Sequence, residues 1–298
     1  MNYRHAFHAG SFADVVKHAV LARILVHLRG KPAAFRVIDT HAGAGLYDLA
    51  GPEASRSLEW REGIHRLLNL PIGEGARALL APYLDVVAGL NAVGRLSTYP
   101  GSPALTRAFL RPQDRLVACE LEPNAAAALA RNFARDRRVK VVTIDGWTAF
   151  KAYVPPPERR GLILVDPPFE EADDFARLVR GLEAAHRKWA GGIYLMWYPI
   201  KTRREPDTLA RCLARSGIAK ILRAELDVAQ NPKPQRPDSE VRDTQSPREG
   251  PLRGCGLIVV NPPWPLAGEL ATLLPELAAI LSGAGAGSHR LDWLAGEN

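Results

Sequence analysis

A chain of 298 residues, 47% of them hydrophobic, can bury one large core or two small ones. Its formal charge of +7 and pI near 9.5 suit a polyanionic partner such as nucleic acid, although charge alone does not establish one. Three scattered cysteines without a CxxC argue against a disulfide framework or zinc site. No signal core opens the chain and no apolar run approaches about 18 residues, so a cytoplasmic protein without membrane contact is expected.

Ser11 followed by Asp14 reads as a capping box opening the helix "FADVVKHAVLARILVHLR", with Gly30 as its stop. Short apolar or β-branched runs then recur at Phe35–Asp39, Leu116–Glu120, Val139–Asp145, Leu162–Asp166, Ile193–Trp197, Ala219–Leu226 and Leu257–Asn261. Helix-length segments such as "PNAAAALARNFARD" and "FARLVRGLEAAHRKWA" separate most of them. This alternation predicts βαβ units and a mostly parallel, seven-stranded sheet within a single domain over 1–298. The long gap between the first two strands contains helical periodicity, which predicts a small helical insertion over 46–98. Residues 229–254, dense in Pro and charge, predict a long mobile loop. Cys119 and Cys255, in or beside apolar runs, are expected to be buried free thiols.

Four runs end in an acid: Asp39, Glu120, Asp145 and Asp166. In open α/β sheets ligands bind beyond the carboxyl ends of the strands. "VIDTHAGAGLYDL" puts Gly43 and Gly45 just after the first strand, where glycine permits a tight turn and close approach to a ligand. The dinucleotide pattern G-x-G-x-x-G fails at Asp48, and no GK[ST] follows. An acid before the glycines suits the ammonium end of S-adenosylmethionine instead. Glu120 could then accept both ribose hydroxyls, and Asp145 an adenine amino group, with Gly146 giving the ring access. A plain βα turn, solvated strand ends and helix caps are the bland readings of these residues taken singly.

"DPPF" at Asp166 and "NPPW" at Asn261 form a more specific signal. An exocyclic amine on a base attacks a sulfonium methyl only when its hydrogens are held so that nitrogen becomes more tetrahedral. The Asp166 carboxylate can accept one hydrogen and the Pro167 carbonyl the other, proline fixing the backbone for the task. Phe169 can stack on a flipped-out base. Asp166 ends the fourth strand, which in a doubly wound sheet lies beside the first, so it is the expected reactive acid. Asn261 comes three strands later, where an edge or hairpin strand and a structural role are expected.

Carried by "YRHAFHAGSFADVVKH", "DTHAGAG", "YPGSP", "DPPF", "WYP" and "NPPW" through nearly the whole chain, the sequence resembles the RlmJ family. Members are methyltransferases that place one methyl on N6 of a specific adenine in 23S ribosomal RNA. "DPPF" replaces the more usual "DPPY" but keeps a stacking ring, and the Pro/Arg loop before Leu257 looks extended. The resemblance implies a Rossmann-like class I S-adenosylmethionine-dependent fold and a monomer, with no obligate protein partner evident. It further implies cofactor contacts from His18, His41, Ser102, Glu120, Asp145 and Gly146, beside Gly43 of the glycine loop, with Asp166 as catalytic acceptor. Tyr3 and Lys17 would lie near the active-site mouth and the RNA. His5, His8, His18 and His41 lack HExxH-type spacing, so no metal is expected. For Ser102, N-capping of a helix beginning at Pro103 stays open as the plain alternative. A DNA adenine methyltransferase and a non-catalytic RNA-binding module are the rival functions. The small insertion argues against the first, and intact Asp39, Glu120 and Asp166 against the second.

Overall fold

The computed structural model describes residues 5–228, 252–283 and 287–296. After a short 3-10 turn, α1 (Phe12–Arg29) is capped by Ser11, whose hydroxyl accepts the Asp14 N–H, and it stops at Gly30. The Asp14 side chain reaches back to the N–H of Gly10 rather than to Ser11, a small departure from the expected box. β1 (Arg36–Asp39) follows, then β2 (Leu46–Asp48), α2 (Pro52–Ser57), α3 (Glu59–Glu62), α4 (Ile64–Asn69), α5 (Glu74–Gly89) and β3 (Thr98–Pro100). β2 and β3 pair antiparallel, so a two-stranded ribbon brackets the four helices.

The chain continues as α6 (Ser102–Phe109), β4 (Arg115–Cys119), α7 (Pro123–Phe133), β5 (Val139–Val142), α8 (Gly146–Ala152), β6 (Gly161–Val165) and α9 (Asp174–Lys188). It ends with β7 (Ile193–Ile200), α10 (Arg204–Ala214), β8 (Ile221–Asp227), β9 (Gly254–Val260), α11 (Leu266–Leu281) and β10 (Ser288–Ala295). Sheet order is β10-β8-β9-β7-β6-β1-β4-β5. From β5 through β7 all neighbours pair parallel, in the doubly wound order. β9 inserts antiparallel between β7 and β8. This is a Rossmann-like, doubly wound α/β fold.

Eight strands form the sheet, not seven. The extra one, β10, pairs antiparallel with β8 at an edge and is mostly exposed or half-buried, so it lacks the apolar run that marks interior strands. β9 is a hairpin partner of β8 as expected, but it is interior, and every one of its residues is buried. Because β9 already begins at Gly254, the loop expected over 229–254 is shorter by that residue, and most of its length lies outside the described residues.

Period-2 alternation builds the two faces. In β6, Leu162 and Leu164 join the core shared with α1, α6 and α11, while Ile163 and Val165 join the core under α8, α9 and α10. Helix α1 is buried nearly all round, because the sheet lies beneath it and α5, α6 and α11 pack around it. Lys17 and His18, polar residues in the middle of that helix, therefore have no route to bulk water along its sides and need internal partners. Cys119 and Cys255 are buried free thiols, and Cys212 is exposed.

Candidate active site

Strand β6 ends at Val165, so Asp166 emerges at the carboxyl rim beside the end of β1. Helix α1 runs toward the start of β1, which brings its first turns over the same rim. Lys17 Nζ there pairs with both Asp14 Oδ1 (2.8 Å) and Asp166 Oδ2. His5 Nε2 lies 3.2 Å from Asp14 Oδ2. Burial works against the ammonium, but the two carboxylates outweigh it and hold Lys17 well above its ordinary value. Burial likewise opposes ionisation of Asp14, yet Lys17 and His5 keep its carboxyl well below the usual range. Lys17 is thus a fixed cation gripping one oxygen of Asp166.

Asp166, Lys17 and His5 line one end of a cavity of about 410 Å³ whose walls include His41, Gly43, Tyr47, Ser102, Glu120, Asn124 and Pro168. A second cavity of about 220 Å³ shares His41, Glu120 and Pro168 and adds Asp145, Gly146, Trp147, Asp174 and Arg177. Gly43 has φ +60, and a Cβ there would meet the Tyr47 hydroxyl at 2.1 Å, so only glycine closes this turn. At Gly146 a Cβ would fall 2.4 Å from His41 Nε2; the missing side chain is what lets His41 stand between the two cavities.

Glu120 is pre-positioned by main-chain donors: Gly43 N to Oε2 at 2.7 Å, and the N–H groups of Leu121 and Glu122 to Oε1 at 2.8 Å each. Asp145 caps α8, accepting the N–H and hydroxyl of Thr148 through Oδ2, while also lining the second cavity; the cap and cavity positions coexist. His41 is held by Thr40 Oγ1 at 2.8 Å, and burial lowers its pKa to about 4, so it is neutral at pH 7.

Several expected residues make contacts other than those expected. Ser102 is the first residue of α6, not its cap, which is Gly101; its hydroxyl instead donates to Asp39 Oδ2 at 2.7 Å. Asp39 is fully buried and outside the cavity lining, so Ser102 stands between it and any ligand. His18 is fully buried and lines neither cavity. Its Nδ1 bonds the Tyr99 hydroxyl at 2.8 Å, which in turn meets Tyr83 at 2.9 Å, while Nε2 has no hydrogen-bond partner among the described residues. Phe169 also lies off the lining, at left-handed φ 53, with its ring centroid 4.8 Å from Phe175 and 5.8 Å from Trp197 of the "WYP" strand. Tyr3 lies outside the described residues.

Trp147 and Arg177 are the residues the sequence reading missed. The Arg177 guanidinium lies 4.6 Å from the Trp147 ring centroid, and Trp147 meets His41 edge-on at 5.7 Å. Nothing in spacing reveals this pair, although "DGW" does place an aromatic next to Gly146. Asp14 was legible only as a helix cap; the signal for its second role was a lysine three residues on, within an otherwise apolar helix.

The buried Asp39 carboxyl carries a measurable consequence. Burial pushes it up to about 7, against the pull of the Ser102 hydroxyl. An unfolded chain ionises near 3.8, so between there and about pH 7 the native state binds more protons and loses stability as pH rises, about 1.4 kcal/mol per unit. Asp39→Asn is expected to match wild type near pH 4 and to be roughly 3–4 kcal/mol more stable at pH 8. Urea unfolding at both values checks it, and a pH-independent difference counts against it.

The second proline pair is differently employed. β9 runs opposite to β6, so Asn261 lies at the far rim of the sheet from Asp166. Its amide Nδ2 donates to Ala190 O and Gly192 O, both at 2.7 Å, pinning the turn between α9 and β7.

Comparison with known proteins shows the family. The sequence profile of a family described as "Ribosomal RNA large subunit methyltransferase D, RlmJ" matches residues 32–295. Proteins named ribosomal RNA large subunit methyltransferase J are 39% identical in Escherichia coli and 38% in Haemophilus influenzae, each alignment covering 100% of both chains. A crystal structure of a Legionella pneumophila protein superposes with a TM-score of 0.81 at 32% identity, over 96% of this chain and 98% of that one. The chain belongs to the RlmJ family of ribosomal RNA large subunit methyltransferases.

Proposed function

We propose that this protein transfers the methyl group of S-adenosylmethionine to the N6 amine of a specific adenine in 23S ribosomal RNA. The observation that carries the reading is Asp166: a carboxylate at the β6 terminus, lining the main cavity and held by a buried ammonium. The lining fits the cofactor. Glu120 offers a carboxylate suited to a ribose diol, Asp145 and Gly146 border a recess flanked by Trp147, and Ser102 faces the cavity with Asp39 behind it. His18 adds a buried nitrogen without a partner close to this machinery.

When bound, the cofactor supplies an electrophilic sulfonium methyl. The protein's work is to hold the amine. With Oδ2 of Asp166 engaged by Lys17, Oδ1 is assigned to accept one N6 hydrogen, and the Pro167 carbonyl accepts the other. The nitrogen lone pair is thereby turned toward the methyl carbon. A bound cofactor would supply the methyl carbon and keep the carbon–sulfur electron pair, while the Asp166 carboxylate, held by Lys17, would take up the hydrogen that the amine gives up. Phe169, braced by Phe175 and Trp197, is the stacking partner for the base, worth about 1–3 kcal/mol.

Transfer of labelled methyl to matched RNA hairpin and DNA oligonucleotides tests this, with mass mapping of ribosomal RNA from cells lacking and regaining the protein. The expected product is a single N6-methyladenine in 23S RNA. Equal labelling of DNA would favour a DNA enzyme, and binding without transfer a non-catalytic module.

A further inference from the structure

Arg177 takes no part in the chemistry above, yet its contacts are more specific than packing requires. Trp147, the second residue of α8, lines the cavity of about 220 Å³ and packs against the core under α8 and α9. Two neighbours hold its indole. The Arg177 guanidinium carbon stands 4.6 Å from the ring centroid, within the range of a cation–π contact. His41 meets the ring edge-on at 5.7 Å and is itself fixed by Thr40. Arg177 is tied in turn to Asp174, its Nη1 donating to Oδ1 at 3.2 Å. Asp174 is 2% exposed and accepts the Glu171 N–H through Oδ2 at 3.0 Å. One buried carboxyl thereby anchors both the guanidinium and the segment that leads on from Pro168 and Phe169. Helix stability does not explain the arginine. It is the fourth residue of α9, where the helix dipole disfavours a cation, and its pair with Asp174 needs no indole.

We infer that Arg177 is a positioning residue for the cofactor: it pins the Trp147 indole as a rigid wall of the recess, so that an adenine ring meets a preformed face. The inference rests on the reading that this recess takes the adenine of the cofactor. Asp145, with Oδ2 engaged by Thr148, keeps Oδ1 for the 6-amino group, and the flat face of the ring is left to Trp147. A wall fixed in advance spares the cost of ordering a large side chain when the ligand arrives. The rival ligand for Arg177 is an RNA phosphate, because its side chain is 31% exposed.

The test measures binding to the full-length protein by calorimetry, with S-adenosylhomocysteine and with methylthioadenosine, which keeps the adenosine but lacks the amino-acid end. For Arg177→Met, Kd for both compounds is expected to rise about tenfold, equivalent to about 1.4 kcal/mol, while Kd for 23S ribosomal RNA stays unchanged. Arg177→Lys, which keeps a cation over the ring, should recover most of the loss. Trp147→Ala should weaken both compounds to a similar degree. Adding Arg177→Met to it should cost less than about twofold more, because the arginine acts through the indole. Urea midpoints show which variants are folded, and Arg177→Gln takes the place of Arg177→Met if the latter is not. Unchanged Kd for the two compounds in the folded variant, fully additive losses in the double variant, or a loss on RNA alone overturns the inference. If wild type binds neither compound, the cofactor reading falls and this inference falls with it. If wild type binds both and Arg177→Met binds them equally well, only this inference falls.

Discussion

Asp166→Ala is expected to lower kcat by about a thousandfold or more, while the folded protein still binds the cofactor. Loss of a positioned proton acceptor costs typically 10²–10⁴ in rate, and here the same side chain also organises Lys17. Asn261→Ala is the control, because both motifs share the proline pair. Its kcat per folded molecule should match wild type. Its stability should fall by roughly 2–3 kcal/mol, from two lost amide hydrogen bonds and an alanine forced to the φ 52 that Asn261 adopts. Single-turnover transfer and urea unfolding separate the two variants. Full activity in Asp166→Ala, or dead but stable Asn261→Ala, would reverse the assignment.

Lys17→Met carries the second large effect. Removing one member of a buried ion cluster costs about 3–5 kcal/mol, because the remaining charges lose compensation. Here two carboxylates, Asp14 and Asp166, are left without their shared cation. Asp14 is held well below the usual carboxylate range in the wild type, burial opposing and Lys17 and His5 prevailing. That depressed value stabilises the fold above the unfolded pKa and is lost only as pH falls through the folded one. In Lys17→Met the sign inverts. The uncompensated carboxylates favour protonation, so the variant's deficit should widen as pH rises from about 4 to 7. Denaturation at pH 5 and pH 8 reads this directly. Methyl transfer should fall too, because Asp166 loses the contact that orients it, and a deficit constant across pH would show that the cluster is not ionised as described.

How far the sequence foretold this molecule depends on the kind of signal each part leaves. The position of Asp166 at a strand end beside β1 was legible because a dipeptide of prolines after an apolar run is rare and strand order follows from βα alternation. The interior position of β9 was written in "CGLIVV", an unbroken apolar run of the sort that both-face burial demands, yet its lateness in the chain suggested an edge. β10 and the ribbon of β2 and β3 left little trace: one is an exposed edge strand, the others three residues each. The Asp14–Lys17–Asp166 cluster joins residues 149 apart, and no periodicity encodes a contact of that range. Asp39 illustrates a different shortfall. Its place at a strand end was evident, but whether a side chain faces a ligand or its neighbour's hydroxyl is decided by packing.

The antiparallel insertion of β9 has a consequence for the connection between β8 and β9. Asp227 and Gly254 face each other in register where β8 ends and β9 begins, on the same side of the sheet as Asp166. Everything encoded between those two positions leaves from and returns to one fixed doorway. For a connection between paired strand ends in general, doubling its length adds only about 0.6 kcal/mol of closure entropy. A change of length between these two positions leaves the β8–β9 register intact.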